Sequence, residues 1–77
     1  MPRDLPDWTY ERRRELGDRI RHLRLRANLT QEVFAEMTGI DRRTVQRIEA
    51  GTSDPPYSSL LLIADVLDVP LEDLVRR

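Results

Sequence analysis

Residues Gln31–Gly51 read QEVFAEMTGIDRRTVQRIEAG, and this stretch decides the fold. Two short helical patterns lie either side of a tight turn at Gly39-Ile40-Asp41. Phe34 and Ala35 are the apolar anchors of the first pattern, Val45 and Ile48 those of the second. Gly39 supplies the backbone conformation that only glycine adopts cheaply. Asp41 stands where a carboxylate caps a helix running Arg42–Ala50, and Gly51 stands where a left-handed residue ends it. Two helices joined by such a turn form a helix-turn-helix, whose second helix can lie in a DNA major groove. Arg42 and Arg43 open that second helix. Arginine there can donate to guanine edges.

Upstream, the spacing of Leu16, Ile20, Leu23 and Ala27 predicts an amphipathic helix ending near Ala27. Asp7 or Thr9 is its expected cap, Glu15 and Arg19 an expected i,i+4 pair, and Asn28 an expected left-handed stop. Thr30 should cap a helix over Gln31–Thr38. Downstream, TSDPP is a loop by turn chemistry. A fourth helix is expected from Tyr57 or Ser58 to Leu67, with Leu60, Ile63, Ala64 and Leu67 on one face. Pro70 opens a last short helix, Leu71–Val75. Five helices without a strand pattern place the chain in the all-α class. The expected organisation is a flexible arm over residues 1–7, rich in proline, and a compact five-helix domain over residues 8–77.

Composition narrows the function. With 77 residues the chain is one small domain near the lower limit for a single core. Without cysteine, neither disulfides nor thiolate zinc ligation can supplement that core. His22 has no partner at ligand spacing, so no metal or other cofactor is expected. Leu60–Ala64 is the longest apolar run, too short to span a bilayer, and no signal-peptide core follows Met1. A cytoplasmic protein is expected, without membrane partners. No group of acids sits in a plausible cleft, and so small a chain leaves little room for a substrate pocket. No catalytic residue is assigned, and enzymatic activity is not expected.

The net charge of −1 argues against nucleic-acid binding until its distribution is considered. Residues 1–50 carry eleven Arg against nine acids, residues 51–77 two Arg against five. A basic half can still present a positive face to phosphate. Arg42 and Arg43 also sit against the helix dipole, which costs ~0.3–1 kcal/mol each and favours a functional reason for them. Arg47 follows Arg43 by one turn on the same face. The Arg12-Arg13-Arg14 run reads more simply as a solvated helix face. Trp8 and Tyr10 read as sealing the core edge or as an oligomer contact, since no single-strand-binding groove accompanies them.

From Leu16 to Leu74 the chain resembles the phage lambda repressor/Cro-like (XRE) helix-turn-helix family. The blocks LGDRIRHLR, LTQ, FAEMTGI, TVQRIEAG and PPYSSLLLIADVLDVPLEDL match in order and spacing. The resemblance implies a sequence-specific double-stranded DNA-binding regulator of transcription. It implies that Gln31 bonds phosphate and braces the recognition helix, that Arg42 and Arg43 read bases, and that Gln46 and Arg47 sit one turn later on the same surface. It implies phosphate contacts at Thr52 and Ser53 and an ion pair between Arg24 and Glu49.

The chain departs from the family at four positions. Asp41 replaces the usual Ser or Thr, Asp54 stands where basic residues are frequent, Val33 breaks a capping box, and Asp68 replaces a frequent Gly. The acids among them predict fewer phosphate contacts and a shallower salt dependence. A homodimer on a two-fold site is expected, with Leu62 and Val66 as its surface. The competing reading is a protein-interaction module, antitoxin-like, that meets a protein partner through helix 4.

Overall fold

The computed structural model describes residues 4–76. Its five helices are α1 (Asp7–Arg26), α2 (Gln31–Thr38), α3 (Arg42–Ala50), α4 (Tyr57–Leu67) and α5 (Leu71–Val75). No strand occurs among the described residues. The all-α expectation holds, and the bounds of α2, α3 and α5 match those read from capping chemistry. No helix of the described residues is long and apolar enough to cross a membrane.

One core joins all five helices: Ile20 of α1, Phe34 of α2, Val45 and Ile48 of α3, Ile63 of α4 and Leu74 of α5 are fully or almost fully buried. Each burial of such a side chain contributes roughly 1.5–3 kcal/mol. Helix α1 lies along α3, and α2 packs against both α3 and α4. Gly17 permits the first of these contacts. A Cβ there would meet the Ile48 carbonyl oxygen and would lie 2.6 Å from that of Glu49. Backbone atoms cannot give way as a flexible side chain would. Leu16 and Ile20 lie on the apolar stripe that periodicity marks, whereas nothing in the local sequence marks Gly17.

The left-handed stop at Asn28 is present, with φ 61°. Asp68 adopts the same conformation at the end of α4, with φ 57°, where its amide and that of Val69 donate to Asp65 and Ala64 carbonyls. Asp is among the few non-glycine residues that tolerate this region, which explains how it replaces Gly without breaking the helix end.

Four expectations about α1 need correction. Neither Asp7 nor Thr9 caps it: Pro6 holds the cap position, and the Thr9 hydroxyl donates back to the Pro6 carbonyl at 2.7 Å. Asp7 already belongs to the helix, and of the expected arm Asp4–Pro6 are described as non-helical; residues 1–3 and 77 of the expected organisation lie outside the described residues. Ala27 is exposed and Leu29 takes its place against the core, because the chain turns at Asn28. Glu15 pairs with Arg12 rather than Arg19. Arg19 instead donates to the Asp73, Leu74 and Arg76 carbonyls, closing the C-terminal end of α5. Those unpaired helix-end carbonyls are better acceptors for a half-buried guanidinium than an exposed carboxylate is.

Candidate nucleic-acid interface

The turn between α2 and α3 is fixed by three side chains. Thr30 accepts from the Val33 amide at 3.1 Å and starts α2. Thr38, buried at its other end, donates to the Phe34 carbonyl at 2.9 Å and accepts from the Ile40 amide at 3.2 Å. Gly39 ends α2 at φ 75°. Asp41 then accepts from the Arg43 and Thr44 amides at 3.0 and 3.4 Å. Its carboxylate therefore meets the positive end of the α3 dipole, offsetting the unfavourable position of Arg42 and Arg43. Thr38 is a residue the sequence reading missed. Its signal was a hydroxyl next to the turn glycine, which can bond the turn from within the helix.

Helix α3 is sharply two-faced. Val45 and Ile48 are 1% and 2% exposed, whereas Arg42, Arg43, Gln46 and Arg47 all face solvent. The expectation that α3 lies on the surface with Val45 and Ile48 in the core with Phe34 holds. The four polar side chains share one outward surface of a nine-residue helix.

Behind that surface stands a buried network. Arg24 Nε donates to Glu49 Oε2 at 2.7 Å and its Nη2 to Oε1 at 3.0 Å, a two-pronged bond with both residues 6% exposed. Arg24 also donates to the Leu29 carbonyl at 2.7 Å. Gln31 Nε2 donates to Glu49 Oε1 at 3.1 Å. The ion pair implied by the family resemblance is thus present, and Gln31 joins it, bracing α2 against α3. Removing one member would leave a buried charge without its partner, the costly way to break such a pair.

The loop after α3 is placed less simply. Gly51 ends the helix at φ 73°, and the Thr52 amide and hydroxyl both bond the Arg47 carbonyl, at 3.0 and 3.3 Å. Thr52 remains exposed. Ser53 is half-buried with its hydroxyl shielded from solvent, so it does not offer that group outward. Asp54 pairs with Arg13 at 3.5 Å, and Arg13 also lies 5.1 Å from the Tyr10 ring centre. The acid at a position where basic residues are frequent thus faces α1, where it meets Arg13 in an exposed ion pair. Two of the three arginines read as a solvated run serve as ties: Arg13 to this loop, and Arg12 to the Val75 carbonyl.

On α4, Leu62 is 47% exposed, but Val66 packs against the core. The proposed Leu62–Val66 stripe is not a surface stripe: Val66 lies three residues after Ile63 and shares its face. The exposed apolar residues of α4 are Tyr57, Leu61 and Leu62. Trp8, 59% exposed, does not seal the core edge. It walls an open cleft of about 380 Å³ between the start of α1 and the end of α5. His22 is exposed, and among the described residues no cluster of His, Asp or Glu has metal-ligating spacing.

Comparison with known proteins agrees with this geometry. The profile of the helix-turn-helix family HTH_3 matches residues 20–74, which span every element from the middle of α1 into α5. An HTH-type transcriptional regulator of Methanocaldococcus jannaschii is 35% identical over 59 residues, covering 77% of this chain and 89% of that protein. The HTH-type regulator YqaE of Bacillus subtilis is 32% identical over 60 residues, and the match spans 78% of this chain but only 52% of that longer protein. Among solved structures, the restriction-modification controller protein C.AhdI of Aeromonas hydrophila superposes with a TM-score of 0.77 at 33% identity. That match covers 79% of this chain and 92% of the controller.

Proposed function

The chain belongs to the helix-turn-helix family HTH_3, a family of DNA-binding transcriptional regulators, and from that premise we propose how it reads DNA. Helix α3 lies in the major groove of a double-stranded site. Arg42 and Arg43 donate to base edges, guanine above all, because the paired donors of arginine match O6 and N7 of that base. Gln46 and Arg47 reach bases or phosphate one turn further along. Gln31 and the backbone around Thr52 and Ser53 contact phosphate and set the register. The observation that carries this reading is the division of α3: four exposed polar side chains opposite a fully buried apolar face. The antitoxin-like alternative has no comparable observation behind it.

The protein acts as a cytoplasmic regulator without catalytic activity or cofactor, on a two-fold site. A single module buries only ~600–1,000 Å² on DNA, little for selective binding. Two α3 helices about 34 Å apart double the readout. Tyr57, Leu61 and Leu62 are the surface that supports pairing, in place of the Leu62–Val66 stripe.

Selection of bound sequences from a random duplex pool, followed by fluorescence anisotropy, tests the assignment. Arg42→Ala or Arg43→Ala should cost ~1–3 kcal/mol on the selected site and relax preference at one base pair. Gln31→Ala should weaken selected and random duplexes alike, since phosphate contacts carry no base information. Equal losses on both duplexes for the arginine variants would refute base reading. For the dimer, sedimentation of wild type and Leu62→Glu on DNA should show two copies and one copy respectively. A wild type that binds its site as a single copy would refute pairing.

A further inference from the structure

Gln31, Thr52 and Ser53, the residues proposed to hold phosphate, are all uncharged. Asp41 adds a negative charge at the start of α3. Yet the salt-dependent affinity for a duplex comes from cations that neutralise phosphates and release counterions. Four arginines of α1 are already committed: Arg12 and Arg19 to carbonyls at the end of α5, Arg13 to Asp54 and Arg24 to Glu49. Arg21 is exposed and takes part in no ion pair among the described residues. Its backbone lies on the face of α1 turned to α3. One turn before it Gly17 abuts the Ile48 and Glu49 carbonyls, and one turn after it Arg24 reaches Glu49. From there Arg21 borders an open polar depression together with Thr30, Gln31 and Arg42. Glu32, the acid on that border, stands 4.0 Å from Arg42.

We propose that Arg21 is a positioning residue for DNA: its guanidinium holds backbone phosphate beside Gln31 and supplies the charge that the other phosphate contacts lack. The inference rests on α3 lying in the major groove with Gln31 against the backbone. Gln31, braced by Glu49, fixes where the backbone runs, and Arg21 attracts it there. The forked donors of arginine can meet two phosphate oxygens at once. Phosphate is the same at every base pair, so the contact adds affinity and sets register without adding base preference. Helix α1 then serves binding in two ways. Arg24 holds α3 from behind, and Arg21 reaches past the joint to the ligand.

Anisotropy titrations of wild type, Arg21→Gln, Arg21→Lys and Arg26→Gln on the selected and random duplexes, over a series of salt concentrations, test this. Arg21→Gln should weaken both duplexes equally, roughly three- to tenfold near 0.1 M salt, and reduce the salt slope by about 0.9 per bound copy. Arg21→Lys should recover most of both, since an ammonium serves phosphate as a point charge. Arg26→Gln removes the same charge from an exposed position of α1 outside the depression and should leave the slope unchanged. An unchanged slope for Arg21→Gln, an equal loss of slope for Arg26→Gln, or a lysine variant as weak as the glutamine one would overturn the proposal while leaving base reading intact. A loss confined to the selected duplex would also overturn it, because Arg21 would then be reading a base. A wild type that binds neither duplex would remove the placement of α3 and this inference with it. Thermal melts by circular dichroism should be unchanged for all variants, and a lowered folded fraction would shift affinity without altering the salt slope.

Discussion

Among the described residues two Arg–Glu pairs join neighbouring helices, and they differ in almost everything but chemistry. Arg24 and Glu49 meet at 2.7 Å, with side chains 7% and 3% exposed. Arg42 and Glu32 stand 4.0 Å apart, with 58% and 69% exposed. The chemistry is the same; the surroundings differ. Around the first pair, Gln31 and the Leu29 carbonyl complete the hydrogen bonds, and Gly17 brings the α1 backbone against the end of α3. Both ions are desolvated, so each depends on the other. Around the second pair water competes for every bond, and its members are free to exchange partners. Burial makes one pair a strut and leaves the other loose.

The sharpest way to break this comparison is to cut each pair from one side. Arg24→Ala or Glu49→Ala should cost ~3–5 kcal/mol, because an unpaired charge remains buried. That is a large share of the stability of a small domain, whose total is roughly 5–15 kcal/mol. Urea denaturation reads the loss directly. A cost under about 1 kcal/mol would place the pair with ordinary surface contacts.

Gly17→Ala probes the same joint through the backbone. In an unobstructed helix the change would stabilise by up to about 1 kcal/mol. Here the new methyl lies 2.6 Å from the Glu49 carbonyl oxygen, so α1 must lift away from α3. The expected outcome is a loss of ~1–3 kcal/mol, the usual cost of overpacking. The sign alone decides: a more stable variant would show that the two helices do not cross so closely.

These two residues also mark where sequence reading succeeds and fails. Capping and turn chemistry are local. Thr30, Gly39, Asp41, Asn28 and Gly51 each act within a few residues of themselves, and all were legible. The two faces of α3 followed from periodicity. Gly17 was not legible, because its role depends on a carbonyl more than thirty positions away that only the fold brings near. The partners of Arg19 and Arg13 were hidden for the same reason: each bonds a distant segment, Arg19 the end of α5 rather than Glu15 one turn away, Arg13 the loop at Asp54. Val66 was misplaced because α4 buries a wider arc than the four-residue stripe assumed. Glu32 carries no sequence signal beyond its charge, and its contact with Arg42 arises only where α2 and α3 meet.

Asp41 lies between the two pairs in character, being exposed yet structurally committed. Asp41→Ala removes two hydrogen bonds from the start of α3 and should cost about 1 kcal/mol, within the ~0.5–2 kcal/mol range for such caps. The same change deletes an acid from the face proposed to meet DNA, so affinity for random duplex should rise while the melting temperature falls. Asp41→Ser, which keeps a capping oxygen without the charge, should keep the gain in affinity and lose less stability. Opposite movement of the two readouts in the alanine variant is the signature; parallel losses would mean that α3 unravels when its cap is removed.

The smallest expected effect closes the comparison. A double-mutant cycle on Arg42 and Glu32, read by urea denaturation in the absence of DNA, should give a coupling below about 0.5 kcal/mol. Added salt should erase even that, because exposed charges are screened within roughly 10 Å at 0.1 M. The corresponding cycle on Arg24 and Glu49 should resist salt, since no ions reach it. A large Arg42–Glu32 coupling would mean that the recognition helix is anchored through the side chain assigned to read DNA. Arg42 would then be too firmly held to exchange partners, and its withdrawal on binding would cost more than one guanine contact returns. A near-zero value leaves the arginine free to move from carboxylate to base, which is what selective recognition by that residue requires.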